Sequence, residues 1–383
     1  VNRRIYLDNA ATSWPKPAGV LAAAMDYQTG CGAAAGRGNY TSSIQAGKIV
    51  QQARTGIAQW TGTHAERIAL LANGTQALNA ALMGLIRPGH HVVTTATEHN
   101  SVLRPLAQME SDRGISWTAV PCDGQGVVSV DDLRQAIRRE TLWMVVSHAS
   151  NVTGAIQDID AIARLCQEHN VHLVLDLAQT LGYVPIDVQR WRVGAAVAPC
   201  HKGMGALLGC AFFYLAEELV EQYAAPWTGG TGQSSDDIYG PFAWRDSIEA
   251  GNLNMPAIAS IPAALRWLEA HLPQSRSQLA AWTWEIVAAL DELNGLKRIG
   301  PGPDANRLAT VSMVSASYSP HELAALLDAQ FQIETRAGFH CAGLIHPFLA
   351  TKESGGTLRL SLGHLNVEDD WKECLRALQV LHT

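Results

Sequence analysis

Lysine is scarce in this 383-residue chain: Lys16, Lys48, Lys202, Lys297, Lys352 and Lys372 are all there are. No basic run occurs, and 28 Lys and Arg stand against 35 Asp and Glu for a formal net charge of −7. That balance argues against a nucleic-acid surface as partner. Long apolar runs are missing as well. The longest, Gly203 to Ala216, is too short and too glycine-rich to span a bilayer, and the opening Val1-Asn2-Arg3-Arg4-Ile5 carries no apolar signal region, so no membrane partner is expected. Cysteine is present seven times, an odd number, with no CxxC pair. This argues against a secreted disulfide framework and against a Cys-rich zinc site, and points to a reducing cytoplasm and no metal. No internal repeat or low-complexity tract is visible.

What is present is an ordinary globular composition, 47% hydrophobic and 16% charged, long enough for two or three domains and a sizeable core. Short apolar runs read as buried strands: Ile68–Leu71, Val92–Val93, Trp143–Val146, Leu173–Leu175, Ala195–Ala198 and Ala211–Tyr214. Helical patterns such as Ala161–Leu165 and Asp131–Arg139 lie between them, which predicts an α/β fold around a mostly parallel sheet. From Gly229 to Gly251 the texture turns to Gly, Ser, Asp and aromatics. A helix-rich stretch from Pro256 to about Leu293 follows, then strands at Leu308–Val314 and Thr357–Ser361 and an amphipathic helix at Asp369–Leu381. The expected division is a large domain over 16–250 and a smaller α+β domain made of 1–15 and 251–383.

Lys202 lies between two strongly apolar runs, Val193–Pro199 and Ala206–Tyr214. Burial lowers an ammonium's pKa, which an amine needs to bond a carbonyl and move protons; a lysine at an exposed turn fits the same letters. Asp176 ends a strand-like run, where ligands of α/β sheets gather, and could pair with a cationic ring nitrogen or merely cap a helix. Gln179 follows three residues on. Asn73-Gly74-Thr75-Gln76 opens a helix after a strand and makes either a phosphate seat or a simple cap. His99, in Glu98-His99-Asn100, could stack on a ring, relay protons, or sit as a hydrogen-bonded loop histidine. In Arg336-Ala337-Gly338-Phe339-His340-Cys341 a thiol stands near Arg and His, a setting that favours thiolate. Arg359 could fork onto a carboxylate or face solvent from a strand.

The order of these features carries more than any one of them. Tyr6-Leu7-Asp8-Asn9-Ala10-Ala11-Thr12, Thr97-Glu98-His99-Asn100-Ser101, His148-Ala149-Ser150-Asn151-Val152-Thr153-Gly154, Asp176-Leu177-Ala178-Gln179 and His201-Lys202 resemble, in sequence, the class V aminotransferase-like enzymes. These depend on pyridoxal 5′-phosphate and share fold type I. Arg336–Cys341 followed by Thr357-Leu358-Arg359-Leu360-Ser361 resembles the cysteine desulfurase branch, and the short stretch from Cys341 to Arg359 its group II. The resemblance covers nearly the whole chain. It implies a homodimer with a central seven-stranded-type sheet, acting on L-cysteine or a related amino acid and passing sulfur to an acceptor protein or thiol. It implies Lys202 as the lysine bonded to the cofactor, with His201 beside it and Asp176 on the ring nitrogen. Gln179 falls on the phenolic oxygen, His99 on the ring face, and Gly74, Thr75 and Gln76 at the phosphate. Asn151 and Arg359 fall at the substrate, Arg336 near it, Arg37 at the partner subunit's site, and Cys341 as the sulfur-accepting nucleophile.

The chain departs from the pattern at three places. Pro199 stands where relatives carry a phosphate-binding Ser or Thr, Asn252 replaces a Thr that caps the phosphate from the partner chain, and Gly203-Met204-Gly205-Ala206 replaces a Pro-x-Gly turn. Selenocysteine lyase, C–S lyase or aminotransferase chemistry on the same scaffold stays open at this point, as does a non-catalytic protein of the same fold.

Overall fold

The computed structural model describes residues 3–232, 236–239, 243–302 and 305–383. Part of the glycine- and serine-rich stretch 229–251 therefore lies outside the described residues.

In chain order the first half comprises β1 (Ile5–Tyr6), α1 (Val20–Asp26), α2 (Thr41–Thr61), β2 (Ile68–Leu71), α3 (Gly74–Leu85), β3 (His91–Thr95), α4 (Asn100–Arg113), β4 (Ser116–Val120), α5 (Val130–Ala136), β5 (Thr141–Ser147), α6 (Ile159–His169) and β6 (His172–Asp176). Then come β7 (Ala195–Pro199), β8 (Ala211–Leu215), α7 (Trp244–Ile248), α8 (Met255–Glu292), β9 (Leu296–Ile299), β10 (Thr310–Ser315), α9 (Pro320–Phe331), β11 (Ile333–Glu334), β12 (Arg336–Gly338), β13 (Thr357–Ser361) and α10 (Glu368–Leu381).

Seven strands form one sheet in the order β2-β8-β7-β6-β5-β3-β4. All pairings are parallel except those of β8, which runs antiparallel to both β2 and β7. The apolar runs named above fall on β2, β3, β5, β6, β7 and β8, because strands covered by helices on both faces have no side that must be polar. The sequence pattern passes over β4. This edge strand is only half-buried along most of its length, so Ser116-Trp117-Thr118-Ala119-Val120 carries no apolar run. Helix α5 stops at Ala136 rather than Arg139, where Ile137 turns extended and packs on the main core.

A second sheet, β12-β13-β10-β9, is antiparallel throughout. The N-terminal segment joins it: β1 pairs with β11, the Ser361 N–H donates to the Leu7 carbonyl at 2.7 Å, and the Asn9 N–H donates to the Ser361 carbonyl at 3.2 Å. The helix-rich stretch after residue 255 is one helix of 38 residues, α8, with Pro262 and Pro273 inside it. Its first half places Ile258, Ile261 and Leu265 in the main core. Its second half places Trp282, Ile286 and Leu290 in a separate core with Leu7, Val311, Leu327, Leu360 and Trp371. Among the described residues no helix is long and apolar enough to cross a membrane, and no group of three or more His, Cys, Asp or Glu is placed to hold a metal ion.

Candidate active site

The parallel strands β2, β3, β5, β6 and β7 end on the same edge of the sheet, and the segments leaving those ends carry the polar residues of one cavity. The cavity measures about 330 Å³. From the first sheet's edge come Asn73, Gly74, Thr75, His99, Ser101, Ser147, Asn151, Asp176, Gln179, Pro199, His201 and Lys202. Strands β12 and β13 and the segment between them close the other side with Arg336, His340, Cys341 and Arg359. Eleven of the fourteen residues singled out from the sequence thus share one cavity. Gln76 turns away: its backbone N–H donates to Asn73 Oδ1 at 2.9 Å and its side-chain oxygen accepts from Ala72 N–H at 2.9 Å. Arg37 and Asn252 line a different cavity together, where Arg37 donates to the carbonyls of Gly230 and Gly251 at 3.0 and 2.7 Å.

Lys202 follows β7 and makes no hydrogen bond or ion pair among the described residues. Its side chain lines the cavity, and burial pushes its ammonium down to about 8, with Asp176 opposing and Arg359 and Arg336 reinforcing the shift. Asp176 ends β6 and accepts the Ala178 N–H at 2.8 Å; burial pushes its carboxyl up, against that hydrogen bond and Lys202. Gln179 donates to the Ala10 carbonyl at 3.2 Å, tying the N-terminal segment to the cavity rim. The His201 carbonyl accepts from the Ser13 N–H and from Lys16 Nζ, while its Nδ1 is buried without a partner among the described residues; burial lowers this imidazole to about 4.

His99 caps α4. Its Nδ1 accepts the Ser101 N–H at 3.0 Å and lies 2.9 Å from Ser101 Oγ, which in turn lies 2.8 Å from Thr75 Oγ1. With Nδ1 engaged as acceptor, the ring hydrogen belongs on Nε2, and burial, then Lys202, lowers the ring to about 4, so His99 is neutral near pH 7. Behind it lies Glu98, fully buried, accepting from Thr95 Oγ1 at 2.7 Å, the Ser147 N–H at 2.9 Å and Ser147 Oγ at 2.6 Å. Burial pushes Glu98 up to about 7.

His340 and Cys341 both adopt left-handed backbone, φ 49° and 58°, a conformation that non-glycine residues hold only when their surroundings fix it. Three contacts do so. Asn151 Nδ2 donates to the His340 carbonyl at 2.7 Å, His340 Nε2 meets Thr357 Oγ1 at 2.9 Å, and the Asn100 N–H donates to the Cys341 carbonyl at 2.7 Å. The Cys341 side of this turn is exposed, and Arg336 Nη2 donates to its Sγ at 3.5 Å. Arg359, fully buried on β13, gives Nη1 to the Asn151 carbonyl at 2.8 Å and Nη2 to Asp8 Oδ1 at 2.6 Å, and keeps Nε without a partner among the described residues.

These residues fit pyridoxal 5′-phosphate. Three cations, Lys202, Arg336 and Arg359, against one carboxylate, Asp176, among the lining residues suit a phosphate and an amino-acid carboxylate. The Lys202 amine is not engaged by any described residue. At the start of α3 a Cβ on Gly74 would press on the Pro199 ring at 3.2 Å, and the nearby hydroxyls come from Thr75 and Ser101. Asp8, Glu98, Ser101 and Ser147 were not singled out from the sequence. The first three stand inside the quoted motifs, but burial and pairing with distant residues, which mark them here, have no local signal.

A probable cysteine desulfurase of Methanothermobacter thermautotrophicus is 28% identical over 96% of this chain and 92% of that protein. The cysteine desulfurase IscS of Methanosarcina thermophila is 28% identical over 96% of this chain and 89% of its own length. The apo structure of a cysteine desulfurase from Thermococcus onnurineus superposes with a TM-score of 0.92 at 26% identity, over 99% of this chain and 94% of that one. A family model described as Aminotransferase class-V matches residues 5–373, and with that match the chain belongs to the class V aminotransferase family.

Proposed function

We propose that this chain is a pyridoxal 5′-phosphate-dependent cysteine desulfurase. L-cysteine and the Cys341 thiol give L-alanine and a Cys341 persulfide, whose outer sulfur passes to an acceptor protein or thiol. The observation that carries this reading is the exposed Cys341, with Arg336 at 3.5 Å from its Sγ, on the cavity that Lys202 lines. The relatives named above support it.

When bound, the cofactor supplies an aldehyde for the substrate's amino group and an electron-withdrawing ring for charge left at its α-carbon. Lys202 would hold the aldehyde. Burial, by lowering its ammonium to about 8, favours the free base that takes the α-proton. Asp176 would face the ring nitrogen, Gln179 the phenolic oxygen and His99 the ring face. Gly74, Thr75 and His201 would face the phosphate, whereas Gln76, engaged with Asn73 and Ala72, does not line this cavity. Arg359 and Asn151 would receive the substrate carboxylate. The Cys341 thiolate attacks the substrate sulfur: an S–S bond forms as the C–S bond breaks, the electron pair stays with the carbon skeleton, and a proton delivered to the β-carbon together with return of the α-proton completes alanine. Lys202, carrying the α-proton, and the Nε2–H of His99 are donors within the cavity.

The same proposal includes a homodimer in a reducing cytoplasm, in which Arg37 and Asn252 serve the site of a second copy. It also includes the division into 16–250 and 1–15 with 251–383: the smaller apolar core is built from 1–15 and 251–383, although the larger one also takes the first half of α8 and Ile345. The test is alanine released from L-cysteine by pyridoxal 5′-phosphate-loaded protein, beside Cys341→Ala, with a thiol reductant present. Alanine from the wild type and at least about a tenfold loss in the variant is the expected result. Equal release from both, or pyruvate in place of alanine, overturns the reading.

A further inference from the structure

Arg359 reaches the cavity from β13 with two of its three nitrogens already committed. Nη1 donates to the Asn151 carbonyl at 2.8 Å, and Nη2 to Asp8 Oδ1 at 2.6 Å. Nε is buried and has no partner among the described residues. A guanidinium offers carboxylates two kinds of edge, the end formed by both Nη atoms and the side formed by Nε with one Nη. Asn151 and Asp8 each take one Nη hydrogen. Each Nη atom carries a second N–H beyond the one these contacts take.

Asp8 is not a surface carboxylate that happens to lie near an arginine. Arg359 is fully buried, and the Asp8 side chain is only 20% exposed. The backbone around Asp8 is fixed to the strand that carries Arg359: Asp8 bridges to Ser361, and the Ser361 N–H donates to the carbonyl of Leu7. The Tyr6 hydroxyl donates to Asp8's own carbonyl at 3.1 Å. The carboxylate and the guanidinium are thus presented to each other by neighbouring backbones and cannot drift apart as exposed pairs do.

We infer that Asp8 is a positioning residue that sets how the substrate carboxylate binds. By holding Nη2 it fixes the orientation in which the Arg359 guanidinium meets the cavity and so the place where the substrate carboxylate docks. The inference rests on the desulfurase reading, in which Arg359 receives that carboxylate. It assigns to the N-terminal segment a part in choosing α-amino acids over amines of the same side chain. Asp8 itself does not line the cavity.

The test is a spectral titration of pyridoxal 5′-phosphate-loaded protein carrying Cys341→Ala, so that no turnover follows. L-cysteine is compared with cysteamine, which is cysteine without its carboxylate. Asp8→Ala is expected to weaken L-cysteine at least about tenfold while cysteamine changes less than about twofold. Asp8→Asn, whose amide oxygen still accepts from Nη2, is expected to stay within roughly threefold of the parent for both. Should Asp8→Ala fail to fold, Asp8→Ser, with a hydroxyl too short to reach Nη2, is read against the same limits. Parallel weakening of both ligands, or no change in L-cysteine, overturns the inference. A wild type that binds L-cysteine in this assay but releases no alanine from it overturns the desulfurase reading and leaves the role of Asp8 separately decided.

Discussion

Replacing Glu98 with glutamine is expected to stabilise the ligand-free protein, and only at neutral and alkaline pH. Glu98 is fully buried, has no ion-pair partner among the described residues, and takes its hydrogen bonds from Thr95 and Ser147. Burial raises its carboxyl from 4.5 to about 7, and the charge of Asp176, one strand away, adds to the shift. The folded protein therefore keeps a proton that the unfolded chain gives up between those two values, and stability falls as pH rises through that window. The loss is about 2.5 × 1.36, or roughly 3 kcal/mol, fully developed above pH 7. The substituted amide is neutral at every pH and can keep the same contacts, its oxygen accepting from the Ser147 N–H and its NH₂ donating to Ser147 Oγ. For a chain of this size the unfolding entropy near Tm is about 0.8 kcal/mol/K, so the gain at pH 8 is about 4 °C. The assay is differential scanning fluorimetry of ligand-free wild type and Glu98→Gln from pH 5 to pH 8. A difference that grows from about 1 °C or less to several degrees supports the reasoning. A difference that is constant with pH, or that shrinks as pH rises, refutes it.

The rate at which ligand-free protein takes up pyridoxal 5′-phosphate should rise with pH, pass its midpoint near pH 8, where half of the Lys202 amine is free base, and level off about one unit above; stopped-flow absorbance reads it, and a rate still climbing steeply at about pH 10 would mean an unperturbed lysine. Gly356→Ala should cost about 3 kcal/mol, because its φ is +101° and the new Cβ would lie 2.2 Å from the Gly338 carbonyl oxygen. Since Gly338 precedes His340 and Cys341, alkylation of Cys341 by iodoacetamide should change rate in the same variant; a Tm within about 1 °C of wild type would count against both statements.

Local order carried much of this protein's description. Runs such as Ile68–Leu71 and Ala195–Ala198 became strands because aliphatic residues without a polar alternation have nowhere to go but a sheet covered on both faces. Thr357–Ser361 matched its strand to the residue. Lys202 and Asp176 drew notice through chemistry that apolar neighbours make costly. Edge strand β4 stayed hidden because its half-exposed residues carry no such run, and the continuity of α8 past Pro262 and Pro273 is a matter of packing on two cores rather than of propensity.

The sequence by itself determined the α/β class, the family resemblance and the identity of the groups able to do the chemistry, since residue type and order along the chain fix those. Only the tertiary structure decided which groups meet. Arg359 and Asp8 are 351 positions apart, and Cys341 reaches the cavity because two left-handed residues are held by Asn151, Thr357 and Asn100 from other parts of the chain. Glu98 gains its raised pKa from enclosure, and Gln76, Arg37 and Asn252 are turned elsewhere by hydrogen bonds and a second cavity. Burial, pairing and direction arise when distant segments pack, and no local pattern encodes them.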